Sequence, residues 1–203
     1  MKTLNNLDDL RALITEPAPT TAHKIRDHLT SRMADFIQNS PFCLISTVDR
    51  DGFPSVTPRG DQPAVATVRR AKILDLPERK GNRLVFALQN ILARPRIGVL
   101  FMQPNVAETL RVHGTAEILA DPALASELSS DTQPALCAIR LTVHSAYFHC
   151  GKSLMRARIW HPEDWPEPQA VSLGREIAEG AGLDEDEAIA LEKGVQERYV
   201  TDL

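Results

Sequence analysis

The sequence predicts a mainly β fold, antiparallel and flanked by helices, on three observations. Between Pro41 and about His149, short runs rich in Val, Ile, Leu and Phe are separated by Gly, Pro and Asp clusters roughly every ten residues, the spacing of antiparallel strands that close as a barrel or sandwich. The segments on either side carry apolar residues at helical intervals instead. No G-x-G-x-x-G turn opens a helix, which disfavours a parallel nucleotide-binding sheet.

Taken in order, Leu4, Leu7, Leu10, Leu13 and Ile14 form one helical stripe, which "EPAPT" stops. A second helix is expected over about Ala22 to Gln38, with Ile25, Leu29, Met33, Phe36 and Ile37 on one face. The expected strands are "FCLISTV", "PSVTPRG", "AVATVRRAKIL", "LVFAL", "RIGVLFM", "ETLRVHGTAEIL" and "ALCAIRLTVHSAYF". "DRDG" makes a turn between the first two. Two short helices interrupt the series: "NILARP", stopped by Pro95, and "DPALASELSS", with Asp121 as N-cap and Pro122 in its first turn. "HCGKSLMRARIW" returns to helical spacing, and "HPEDWPEP" closes the body. The expected organisation is a helical segment over residues 1–40, a β domain over 41–168 and an acidic helical tail over 169–203.

Charge narrows the function classes. The formal balance is -4, from 23 basic and 27 acidic residues, which argues against a nucleic-acid partner. From Val171 onward nine acidic and three basic residues give -6, leaving +2 on the body, enough to hold an anionic ligand without marking a polyanion binder. The three cysteines, Cys43, Cys137 and Cys150, form no C-x-x-C pair, so neither a disulfide framework nor a zinc knuckle is expected and the reducing cytoplasm fits best. No export signal and no apolar run long enough to span a membrane is found.

No G-x-S-x-G, H-E-x-x-H or P-loop pattern occurs. His144, His149, Cys150 and His161 match no standard metal spacing and read as strand-end and helix-start residues, so no metal is expected. What remains is a set of cations within apolar elements: Arg59, Arg83, Arg111, Lys152 and Arg156. A charge in a half-buried strand needs a carboxylate or an anionic ligand. Arg59 follows Thr57 and Pro58 and precedes Gly60. The proline puts that strand at an edge or at a break in the sheet, and Gly60 leaves the backbone approachable by a flat ring. The plain alternative pairs Arg59 with Asp61 or Asp51 on the hairpin. Lys152 and Arg156 lie four apart, on one helical face, with a solvated surface as the alternative.

The order "SVTPRGD", "GNRLVFALQNILARPRIGVLF", "ETLRVHGTAEI", "YFHCGKSLMRARIW" resembles the pyridoxamine 5'-phosphate oxidase-like flavoproteins, over roughly residues 22 to 166. The likeness is greatest to an FMN-dependent oxidase-like subgroup. The resemblance implies a split β-barrel homodimer with two FMN sites at the subunit interface. Thr57, Pro58, Arg59, Gly60 and Asp61 would line the isoalloxazine edge, with Arg59 near the N1 and C2 carbonyl side. Asn82 and Arg83 would lie near the ribityl chain and phosphate, Thr109 and Arg111 on a strand crossing the site, and Lys152 and Arg156 on the late helix, of the partner subunit. A small-molecule substrate is implied; no catalytic base is identified.

Some positions depart from the family pattern. An Arg-Lys pair that holds the phosphate in the pyridoxamine phosphate oxidases falls at Phe86 and Ala87, and Val85 follows Leu84 where relatives carry Asp. Ala64 and Val65 replace a Gly-Phe pair. No Lys or Arg lies between Arg111 and Arg140, so oxidation of the phosphorylated vitamin itself is not expected. The first expectation is therefore an FMN-dependent oxidoreductase; the alternatives are a non-catalytic FMN carrier or redox sensor, or a haem-binding relative, for which His113 and His144 show no matching motif.

Overall fold

A computed structural model describes residues 3–131 and 133–202. Residues 1, 2, 132 and 203, including the outer ends of the two expected flanking segments, lie outside the described residues. Seven strands form one antiparallel sheet: β1 (Phe42–Val48), β2 (Pro54–Gly60), β3 (Thr67–Arg70), β4 (Ile73–Glu78), β5 (Arg96–Met102), β6 (Thr109–Leu119) and β7 (Cys137–His149). Their order is β2-β1-β5-β6-β7-β4-β3, with β2 and β3 as the two edges, so the sheet does not close on itself. With its flanking helices this is the architecture expected of a split barrel.

Strict alternation makes the core. Cys43, Ile45 and Thr47 of β1 and Ile97, Val99 and Phe101 of β5 turn inward and are buried, while their neighbours are only partly covered. Leu74, Leu76, Leu110, Val112, Ile139 and Leu141 continue the same interior. Each such Leu, Ile or Phe contributes about 2 kcal/mol by leaving water. Helix α2 (Ser31–Gln38), capped by Thr30 Oγ1 accepting from Met33 N at 3.4 Å, adds Met33, Phe36 and Ile37.

Three sequence expectations are corrected. The helix expected from Ala22 begins instead with a short 3-10 turn over Pro19–Lys24, and Arg26 then bridges Ala146, leaving Ile25 exposed. The chain can therefore become α-helical only after Thr30. "AVATVRRAKIL" is not one strand but the hairpin β3–β4, with a register shift between Val68 and Arg70 and a turn that carries neither Gly nor Pro. "LVFAL" is not a strand: Phe86 opens helix α3 (Phe86–Ala93), whose buried face is Ala87, Asn90 and Ile91.

Helix α3 is fastened at two points. Asn90 Nδ2 donates to Thr47 Oγ1 at 2.9 Å inside the core, and Arg94 donates to the carbonyls of Asp49 and Arg50 at 3.0 and 2.9 Å. The long strands β6 and β7 meet at a bulge between His113 and Gly114. A β-carbon on Gly114 would stand 2.0 Å from the Thr142 carbonyl oxygen, so only glycine fits there. Asp75 of β4, fully buried, accepts from Arg69 Nε and Arg140 Nε at 2.8 Å and from Arg140 Nη2 at 2.9 Å. Burial opposes its ionisation, but the bonds from Arg140 and Arg69 outweigh it and hold the carboxyl below its ordinary value.

The remaining helices are α1 (Leu7–Leu13), α4 (Pro122–Glu127), α5 (Lys152–Ala157), α6 (Leu173–Ala181) and α7 (Glu185–Thr201). Helices α6 and α7 form a hairpin of their own. Glu192 Oε2 accepts from Ser172 Oγ at 2.7 Å and Gly174 N at 2.8 Å, a close approach in which a β-carbon on Gly174 would lie 2.4 Å from Glu192 Cα. Among the described residues, no helix is long and apolar enough to cross a membrane.

Candidate functional site

A cleft of about 810 Å³ opens between the edge strand β2, the end of β4 with the loop that follows it, and the first turn of α3. Its size suits a cofactor-sized molecule. Pro58 can sit in β2 because an edge strand need not donate from every residue, and Arg59 beside it faces Cys43 of β1 in the ladder. On the opposite wall, β4 ends at Glu78 and the chain runs through "RKGNRL" into α3. Asn82 Oδ1 accepts from Leu84 N at 3.0 Å, shaping that loop. Arg83 and Val85 take left-handed conformations, with φ of 65° and 50°. For a β-branched valine this is strained, the kind of backbone that binding sites retain.

Two ion pairs span the cleft wall. Arg59 Nη1 donates to Glu78 Oε1 at 2.8 Å and Nη2 lies 2.8 Å from Oε2; both side chains are largely buried. Arg79 pairs with Asp61, its Nε donating at 2.6 Å, and also donates to the carbonyls of Gln133 and Leu128. The local alternative weighed from sequence, Arg59 with Asp61 or Asp51, is thus replaced by a partner nineteen residues away. Thr57 Oγ1 and Arg59 Nε are buried with no hydrogen-bond partner among the described residues. Both thiols near Arg59 are shifted away from the thiolate: burial pushes Cys43 up to about 12, and burial followed by the Glu78 charge raises Cys137.

The other end of the cleft is cationic and open. Lys80 and Arg83 line it together with Phe86 and Ala87 of the first turn of α3. Val85 caps α3 with no side-chain hydrogen bond, so the first-turn N–H groups receive no side-chain cap.

Of the residues singled out from sequence, Thr57, Pro58, Arg59, Gly60, Asp61, Asn82 and Arg83 line this one cleft. Thr109, Arg111, Lys152 and Arg156 do not. Thr109 is buried at the start of β6, opposite His149. Arg111 Nη1 donates to Tyr147 Oη at 3.0 Å and its guanidinium lies over that ring. Lys152 and Arg156 are exposed on α5. Sequence reasoning missed Glu78, Arg79 and Lys80; a strand of mixed apolar and charged residues ending in "PERK" was the one signal available.

A second cavity, of about 470 Å³, lies on the outer face of β5, β6 and β7, with His113, His144, Arg96 and Thr115 on its walls. His161 lies instead beside Glu163 and Asp164, all exposed and engaged among themselves or with Arg158.

Residues 29–150 match the family model described as pyridoxamine 5'-phosphate oxidase. No curated protein matches the chain. Among solved structures, HupZ of Group A Streptococcus is similar at 20% identity over 59% of this chain and 93% of that one, with a TM-score of 0.48. General Stress Protein 26 of Bacillus anthracis is similar at 18% identity over 56% and 88%, with a TM-score of 0.45. An F420 reductase is similar at 19% identity over 60% and 98%, with a TM-score of 0.44.

Proposed function

The chain belongs to the pyridoxamine 5'-phosphate oxidase family, and from that premise we propose that it binds FMN in the cleft between β2 and α3 and acts as an FMN-dependent oxidoreductase on a small molecule. The observation that carries this is the pair of buried, unpartnered polar atoms, Thr57 Oγ1 and Arg59 Nε, on the wall of a cleft whose far end is cationic. Thr57, Pro58, Arg59, Gly60 and Asp61 would hold the ring edge and Asn82 the ribityl chain. Arg83, Lys80 and the first turn of α3 would take the phosphate, in place of the family's Arg-Lys pair at Phe86 and Ala87. Bound FMN would supply the redox chemistry. The protein's own part is to bind, orient and exclude water. Because Glu78 neutralises Arg59, Nε–H acts on the ring edge as a hydrogen-bond donor and not as a bare cation.

Thr109, Arg111, Lys152 and Arg156 would complete the site of a second copy, in a homodimer with FMN at the interface. None of the four lines the cleft of its own chain, and Leu84, Phe86 and Leu136, large apolar side chains, are exposed around it; both observations support this reading. Free Cys43, Cys137 and Cys150 suit a reducing cytoplasm. With no Lys or Arg between Arg111 and Arg140 to grip a second phosphate, phosphorylated vitamin B6 is not the substrate.

One observation favours a non-catalytic FMN carrier or redox sensor: both carboxylates of the cleft, Asp61 and Glu78, are tied into ion pairs, so neither stands ready to move a proton. Anaerobic titration of the FMN-loaded protein with NADPH and NADH separates the two. Bleaching followed by recovery in air supports the enzyme; a flavin that stays oxidised with both donors and with small amines supports the carrier. A protein that takes up no FMN overturns both.

A further inference from the structure

Lys80 belongs to two structures at once. It lines the cationic end of the cleft, and its Nζ lies 2.8 Å from Oδ1 of Asp202, the residue that caps the end of α7. The contact joins the cleft to the α6–α7 hairpin across 122 residues of sequence. Three features make it more than a chance surface pair. The C-terminal end of a seventeen-residue helix carries the negative pole of its dipole, which attracts an ammonium. The Asp202 carboxyl is held below its ordinary range, chiefly by the hydrogen bond from Lys80. And the neighbouring side chains Tyr199 and Val200 are exposed, so apolar packing does little to hold this last turn.

We propose that Lys80 is the cleft residue that grips the anionic end of the ligand, and that Asp202 is a built-in carboxylate that holds Lys80 until such an anion displaces it. One ammonium on a single flexible stem cannot serve a phosphate in the cleft and Asp202 outside it with full strength at the same time. Binding of the anion therefore frees the last turn of α7, and the acidic hairpin reports whether the cleft is filled. Only the identity of the anion rests on the FMN reading.

Hydrogen exchange of the amides of residues 198–202, together with FMN and riboflavin titrations, tests this in the full chain and in Asp202→Asn, Lys80→Gln and the double variant. Without ligand, each single variant raises exchange in that turn and the double adds nothing. FMN raises it in the wild type to the same level. Asp202→Asn binds FMN about threefold more tightly and Lys80→Gln several-fold more weakly, in line with the strength of exposed ion pairs, while riboflavin, lacking the phosphate, is insensitive to both. FMN binding that leaves exchange unaltered, with equal affinity in Asp202→Asn, overturns the proposal. If no form binds FMN, the flavin reading fails separately, and inorganic phosphate becomes the probe. Faster exchange with phosphate in the wild type but no response in Lys80→Gln then upholds the latch; no response in either overturns it.

Discussion

Two arginine–carboxylate clusters hold this sheet, and they differ in what surrounds them. Asp75 of β4 accepts three hydrogen bonds, from Arg69 of β3 and Arg140 of β7, with no solvent exposure. Glu78, three residues further along β4, takes both ends of the Arg59 guanidinium at the cleft wall. Each cluster leaves one guanidinium nitrogen idle, Arg69 Nη2 and Arg59 Nε. Beside Arg59, among the described residues, the Thr57 hydroxyl and Glu78 Oε2 also lack a hydrogen-bond partner, and all three residues line a cavity. The first cluster is a structural tie without a cavity beside it, and the second is a tie that faces one.

The largest loss is expected at Asp75. Asp75→Asn costs about 3 kcal/mol of stability in urea denaturation, because two guanidinium groups lose their buried partner. Glu78→Gln, at the open wall, costs about 1 kcal/mol; equal losses would erase the distinction. The pH dependence has a definite sign. Asp75 has a folded value below its ordinary 3.8, so its stabilisation is fully present above 3.8 and is lost as pH falls through the folded value. Wild type should therefore lose stability more steeply than Asp75→Asn in denaturations below that pH.

Arg59→Ala lowers FMN affinity about tenfold with the fold intact by circular dichroism, as loss of a charged hydrogen-bond donor requires; unchanged affinity would remove Arg59 from the site. The smallest effect distinguishes the two regions best. Thr57→Val removes a buried hydroxyl that has no partner, so the ligand-free protein should be as stable or slightly more stable, while FMN affinity falls about threefold. A variant that is less stable and binds equally well would assign the hydroxyl to the fold.

Much of the sheet was legible because strand alternation is local. β1, β2, β5, β6 and β7 each bury every second residue or carry turn residues at their ends, and their expected limits lie within about two residues of those found. "LVFAL" misled because a short wholly apolar run has no period of its own; its helical state is fixed by Asn90 reaching Thr47, a contact 43 residues distant. The β3–β4 turn was invisible because Ala71 and Lys72 carry no turn signal. The same division runs through the site. Thr57 to Asp61 announce themselves by a proline and a glycine in a strand, whereas Glu78, Arg79 and Lys80 become cleft residues only through sheet order, which no local pattern encodes.

The two prolines of β2 have a consequence beyond the cleft. Pro54 and Pro58 stand four apart on the sheet's outermost strand, so the amide hydrogens they lack fall on the same side. A β2 from another molecule arriving there would find a ladder with alternate rungs missing. The sheet can leave this margin exposed while denying strand-by-strand stitching into filaments, so accessibility and colloidal safety come from the same two rings.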